Sequence, residues 1–416
     1  MSQLHKKFSD DQVKAILRNY QEGQMTRQHA QELLGIGKSR FFTLLQQYRT
    51  NPTSISIEYH RKAPGRISTE AEQIIRQELK REKGLVEDRR LPISSYNYTA
   101  LRDRLKQKGI TVSVPTIIKR AVEEDCYRPR RKQKVHDRLV VTSAIGEMIQ
   151  HDASLHLWSP LASEKWTLIT SLDDYSRTLL FADFFAHETS WAHIQAAQTV
   201  LVKNGFPVRY YVDNLRVFRF IQKRDSFWRN HILETDDVDP QWRQVMHLMG
   251  VKVTYALSPQ AKGKVERPYR WLQDRIVRTC ALEKLVSMEE VRSVLMDEID
   301  RYNNHQVHST TGEIPAIRFA TAKQQGNSLF RPFVLPKPYT SFKDVFCLRD
   351  TRTVDGYRRI SVFNKSIEVP KVPLREDVEI HLVPDLDRQT FECRLWWEQK
   401  MVHSVVYPIQ GLRVHF

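Results

Sequence analysis

The spacing of apolar residues along the chain changes character several times, and each change marks a candidate domain. Over 8–49 the period is helical. Ser9 is placed to cap a helix carrying Val13, Ile16, Leu17 and Tyr20 on one face, and Gly23 ends it. Thr26 starts a second short helix with Ala30, Leu33 and Leu34. The turn Gly35-Ile36-Gly37 follows. A third helix then begins at Lys38-Ser39-Arg40-Phe41-Phe42 and ends near Tyr48. A short helix, a glycine turn and a helix rich in basic and hydroxyl residues predict a helix-turn-helix, with Lys38, Ser39, Arg40 and Thr43 facing a DNA groove. A three-helix interaction module is the plainer alternative.

Residues 51–67 lack periodicity and contain Pro52, Pro64 and Gly65, which predicts a linker. A second helical unit is expected over 68–126, with helices at 68–83, 98–109 and 114–125. Its last helix follows a turn and carries Thr116, Lys119 and Arg120 early, again a recognition-helix pattern. Residues 127–139 hold Arg128, Arg130, Arg131, Lys132, Lys134 and Arg138 against Asp137 alone. Such a basic linker would track phosphates whatever its conformation.

From about 140 the pattern becomes mixed. Strands are predicted at 145–157, 166–172, 178–185, 208–212 and 251–257, with helices at 189–204, 239–249 and after Pro259. Three strands in succession, then alternating helix and strand, is a mixed α/β arrangement extending to about 320. Another amphipathic helix covers 287–304. Over 333–416 short β-rich segments at 344–349, 357–363, 365–369, 378–383, 390–396 and 400–407 predict a small barrel or sandwich. The fold class is therefore multidomain α+β.

Charge narrows the partners. The 416 residues carry a formal net charge of +16, which favours polyanions. No apolar run reaches the roughly 18 residues of a membrane span, and the first eight residues lack a signal-peptide core. Cys126, Cys280, Cys347 and Cys393 are far apart in sequence, which excludes a Cys-x-x-Cys metal pair or a dense disulfide framework. The pairs His187/His193 and His305/His308 have no cysteine partners at zinc spacing and read as ordinary polar residues.

Three acids fall at strand ends in the mixed region: Asp152, Asp213 and Glu266. Glu266 sits just past the fifth strand on a helix where Lys262, Glu266 and Arg270 share a face. Converging carboxylates suit two hard divalent cations, Mg²⁺ or Mn²⁺, in a phosphoryl displacement. Two plainer readings stand beside this one. Aspartate is common at strand-to-turn junctions, where Asp173 and Asp174 also lie. The charges around Glu266 also suit an ordinary solvated helix face.

Several motifs then occur in order. Gln-His-Asp-Ala-Ser, ending at Ser154, is followed by Leu-Asp-Asp-Tyr-Ser-Arg, by Val-Asp-Asn at Asp213, and by Ser-Pro-Gln-Ala-Lys-Gly-Lys-Val-Glu-Arg at Glu266. Tyr302-Asn303 and a segment from His308 to Ala316 come after. Together, over about 140–320, these resemble the integrase-type catalytic core of DDE transposases, as in retroviral integrases and bacterial insertion-sequence transposases.

The resemblance implies a ribonuclease H-like core with a mixed five-stranded sheet and Asp152, Asp213 and Glu266 as catalytic, metal-binding residues. It implies cleavage of the strand at the element's end by water, then attack of the released 3′-hydroxyl on target DNA. Lys262, Lys264 and Arg270 become candidate DNA contacts. The partners implied are double-stranded DNA, both element terminal repeats and target, and further copies of the chain on paired ends. A partner ATPase is left open, and the place implied is the bacterial cytoplasm at the nucleoid. Leu215 departs from the glycine many relatives carry after the Asp-Asn pair. Two alternatives keep the fold but change the activity: a DNA-binding regulator with an inactive core, and a nuclease without strand transfer.

Overall fold

The computed structural model describes residues 4, 7–53, 55–57, 67–129, 142–212, 241–255, 263–363 and 365–410, without the side chains of 263–267. The chain divides into two compact units, Met1–Glu72 and Gln73–Phe416.

In the first unit, α1 (Asp10–Gln21) begins with a reciprocal cap between Ser9 and Gln12. Thr26 caps α2 (Arg27–Leu34). Gly35 takes a left-handed conformation (φ 61°), and Gly37 leads into α3 (Lys38–Thr50). Val13, Leu17, Ala30, Leu34, Phe41, Leu44 and Leu45 form the shared core, as the 3.6-residue period requires.

Helix α4 (Thr69–Glu87) crosses the boundary at Glu72, and α5 (Tyr98–Gln107) and α6 (Val114–Glu123) follow in the second unit. Asn97 and Ser113 cap α5 and α6 through their side chains. A five-stranded sheet follows, built from β1 (Met148–His156), β2 (Trp166–Asp173), β3 (Leu179–Phe185), β4 (Arg209–Val212) and β5 (Lys252–Tyr255) in the order β3-β2-β1-β4-β5. β1 runs antiparallel to β2 and parallel to β4, and β4 runs parallel to β5. This is the mixed sheet expected of the core.

Helices cover both faces. α7 (Ser190–Asn204) and α8 (Gln241–Leu248) pack Ile194, Ala197, Leu201, Trp242, Val245 and Met246 on Ile149, Tyr210 and Val212. On the opposite face α9 (Gly263–Glu283) and α10 (Met288–Asp300) bury Tyr269, Leu272, Ile276, Val291 and Leu295 against Leu168, Leu172 and Phe184. The helix expected to reach 304 changes form, with Arg301–His305 making a π-helical turn after α10. α11 (Pro315–Gln324), absent from the sequence reading, follows with proline at its first position.

The C-terminal strands are β6 (Leu348–Thr353), β7 (Arg359–Val362), β8 (Lys365–Glu368), β9 (Asp377–Asp385), β10 (Thr390–Trp397) and β11 (Lys400–Pro408). Four form an antiparallel sheet, β11-β10-β9-β6, and β7 pairs with β8. Their core runs without a break into that of α7 and α8. The strand expected at 344–349 starts later. Asp344 instead closes a short 3₁₀ turn and is fully buried, accepting hydrogen bonds from Arg394 at 2.6 and 3.1 Å and from Trp396 Nε1 at 3.2 Å.

Candidate active site

Alternation along β1 places neighbouring side chains on opposite faces of the sheet. His151 points to the α7–α8 side. It stacks on Trp242, and its Nδ1 lies 2.8 Å from Ser171 Oγ and its Nε2 2.8 Å from His193 Nδ1. His193 Nε2 is in turn 3.2 Å from Glu188 Oε1. His193 is thus part of a buried polar chain with His151, not a surface neighbour of His187. Asp152 lies on the other face, buried and directly opposite Thr170 of β2.

α9 meets β1 at this point. The Tyr269 hydroxyl accepts a hydrogen bond from Thr170 Oγ1 (2.9 Å) and donates to the backbone carbonyl of Asp152 (2.5 Å). Burial first, then the Asp152 charge, push the Tyr269 phenol well above its ordinary pKa, so it remains a donor. Sequence reasoning missed Tyr269 and Thr170. The available signal was a lone tyrosine three residues after Glu266, on a helix otherwise charged at that end.

Glu266 lies in the first turns of α9, one turn before Tyr269. The parallel register from Met148↔Arg209 to Gln150↔Tyr211 brings the end of β4 alongside the His151–Asp152 stretch. Asp213, the next residue, lies outside the described residues, as do Arg130, Arg131, Lys132 and Lys262. Lys264 lies in α9, and Arg270 is exposed one turn after Glu266. Among the described residues no cluster of three or more His, Cys, Asp or Glu is placed to hold a metal ion. Asp173 and Asp174 are occupied elsewhere. Asp173 accepts from Gly146 N (2.9 Å) and Ser176 Oγ (2.6 Å), and Asp174 from Thr142 Oγ1 and Arg177, in the turn between β2 and β3.

A second set of charges anchors the far half of α9. Arg278 pairs with Glu82 of α4 and Asp274, and donates to the Ser95 carbonyl. Arg275 pairs with Asp103 of α5 (2.7 Å) and Glu298 of α10 (3.4 Å). Burial alone would raise the Asp103 carboxyl, but hydrogen bonds from Arg102 and Arg275 outweigh it and hold it below the usual range. Leu85, Ile93 and Val277 close the same interface with apolar surface.

The remaining expected DNA contacts lie on α3, on α6 and just after α6. Lys38, Ser39, Arg40 and Thr43 are exposed on α3, with Thr43 Oγ1 donating to the Ser39 carbonyl (2.9 Å). On α6, Lys119 is exposed, Thr116 hydrogen-bonds Ser113, and Arg120 pairs with Glu123 at 3.3 Å. Arg128 is exposed and lies over the Tyr96 ring.

No protein-family model matches the chain. Over 283 residues it is 26% identical to the protein y4bF of Sinorhizobium fredii, provisionally named a transposase; the match covers 67% of this chain and 57% of that protein. Over 171 residues it is 30% identical to the transposase for insertion sequence IS1202 of Streptococcus pneumoniae, covering 41% of this chain and 35% of that one. The chain is a relative of transposases. It spans less than two thirds of the length of the curated relatives it matches. Solved structures overlap it loosely. The simian T-cell lymphotropic virus intasome bound to a PP2A regulatory subunit aligns with a TM-score of 0.36 at 12% identity, covering 75% of this chain and 93% of that one. The HTLV-2 integrase catalytic core with magnesium aligns at 0.31 and 14%, covering 42% and 95%. No helix among the described residues is long and apolar enough to cross a membrane.

Proposed function

We propose that this transposase relative is a DDE enzyme that binds the terminal repeats of an element and performs metal-dependent strand cleavage and strand transfer. The observation that carries the reading is the meeting of β1, the end of β4 and the start of α9 around Asp152, on the face opposite His151. Asp152, Asp213 and Glu266 are the proposed ligands and catalytic residues. The donor set fits Mg²⁺ or Mn²⁺, since it offers carboxylate oxygens, while the nearest imidazole, His151, is committed to Ser171 and His193 on the other face. When bound, two such ions activate an attacking oxygen and stabilise the leaving one.

The chain's own residues supply the rest. The three carboxylates orient the site, and Lys262, Lys264 and Arg270 engage phosphates beside it. Lys38, Ser39, Arg40 and Thr43 of 8–50, with Thr116, Lys119 and Arg120 of 68–126, are proposed to bind the repeat, at phosphates as well as at base edges. Arg128, Arg130, Arg131 and Lys132 are proposed to neutralise the intervening backbone. Copies of the chain are proposed to assemble on paired ends.

The test uses the full chain, Mg²⁺ and labelled DNA carrying the inverted repeats that flank its gene. Wild type should nick and join; Asp152→Asn, Asp213→Asn and Glu266→Gln should bind without doing either. A wild type that binds and never cleaves would make the chain a regulator. Cutting without joining would make it a nuclease.

A further inference from the structure

We propose that Tyr269 is a positioning residue for the acidic site, latching the first turns of α9 to the main chain of Asp152. The proposal rests on the reading of Asp152 and Glu266 as metal ligands. Tyr269 is 6% exposed and has one proton to give. Thr170 Oγ1 occupies an acceptor site on the hydroxyl, and of the two carbonyls in reach that of Asp152 at 2.5 Å is the nearer and Leu168 at 3.5 Å the farther, so the proton goes to the backbone of the carboxylate-bearing residue itself. Glu266 lies three residues earlier, about 4.5 Å along the helix axis. A shift of the latch therefore becomes a shift between the two carboxylate-bearing positions.

The first turns of α9 need such an anchor. Pro268 lies inside the helix and donates no backbone hydrogen bond, so one rung is missing there. The charged anchors at Arg275 and Arg278 act roughly two turns further along, and among the described residues Tyr269 ties the start of the helix to β1. Its ring belongs to the buried apolar cluster that holds Leu168 and Leu272, so a phenylalanine keeps the apolar burial and loses the hydroxyl with its bonds to Asp152 and Thr170.

Thermal melts of the full chain over a range of MgCl₂ and of MnCl₂ read metal binding without DNA. Wild type should be stabilised by metal, and Asp152→Asn should not. Tyr269→Phe should melt near wild type without metal yet need about tenfold more metal for the same shift, as loss of a supporting hydrogen bond behind a ligand does. Thr170→Val, which removes the hydroxyl feeding the latch, should fall between the two. A Phe variant with the wild-type metal midpoint overturns the proposal, and so does one whose only defect is a lower metal-free melting temperature. If that variant fails to fold, an unchanged midpoint in Thr170→Val overturns it. A wild type that ignores both metals overturns the metal-site reading itself, and the latch falls with it.

Discussion

Arg278 of α9 and Glu82 of α4 form an ion pair in which neither side chain is more than 1% exposed. Glu82 also receives Arg104 at 2.7 Å and the backbone N–H of Asn97 at 3.2 Å. Replacing Glu82 with leucine leaves Arg278 and Arg104 facing each other in a buried site. Arg278 keeps Asp274 and the Ser95 carbonyl, and Arg104 keeps Glu78, so the expected loss of stability is about 1–3 kcal/mol, the cost of removing one buried partner from a charged network. A second change, Arg278→Met, should recover part of it. Urea unfolding followed by circular dichroism reads both, and a loss within about 0.5 kcal/mol, ordinary for a surface substitution, would contradict the structure.

The proposed reader on α3 makes a quantitative prediction about salt. Lys38→Ala and Arg40→Ala should weaken binding to repeat DNA and each lower the slope of log affinity against log salt by about 1. Fluorescence anisotropy at several salt concentrations measures it. An unchanged slope would remove these residues from the phosphate contacts.

Acid should loosen the C-terminal sheet through Glu392. Burial would raise this carboxyl, but hydrogen bonds from Lys343, Arg394 and Ser404 outweigh it and bring it down to about 2. An unfolded glutamate titrates near 4.3. A depressed folded value means the stabilisation is complete above the unfolded value and is lost as pH falls from there through about 2. Glu392→Gln should therefore flatten the fall in melting temperature between about pH 4.5 and 2 relative to wild type.

Gly205, which ends α7, takes φ +96°, and a Cβ there would lie 2.2 Å from the Arg331 carbonyl. That carbonyl accepts from Phe206 N, and Arg331 N donates back to Phe206. Gly205→Ala should cost more than about 1 kcal/mol, since both the conformation and the space are wrong for a side chain. A calorimetric melt checks it.

The parts of the fold legible in the sequence are those where polarity tracks exposure. β2 is buried along all eight residues and reads as an apolar and hydroxyl run. α1 shows its core stripe and its cap directly. The failures share a cause. Periodicity assigns charge to water, yet Glu78, Glu82, Asp103, Arg275, Arg278 and Asp344 are buried, because each has an opposite charge or a donor already in place. So the docking of α4 and α5 on α9 was invisible, and Asp344 pulled an expected strand out of register. α11 escaped because only Pro315 and Ala322 of it are buried, too few to show a stripe. At the site, Asp152 was legible as an acid on the first strand, but it sits in the middle of β1 and not at a strand end, because the ladder with β2 runs on to His156. Tyr269 acts through a backbone carbonyl, which no side-chain pattern records.

The charged seam between α4–α5 and α9 also bears on how such chains diversify. A lineage that gained a new repeat specificity by acquiring a foreign 68–126 segment would inherit Glu82, Asp103 and the Ser95 carbonyl from the donor, and Arg275 and Arg278 from the recipient. Unless both halves matched, Arg275 and Arg278 would each lose a buried acidic partner, keeping Glu298 and Asp274. The second helical unit and α9 are thus expected to be inherited together.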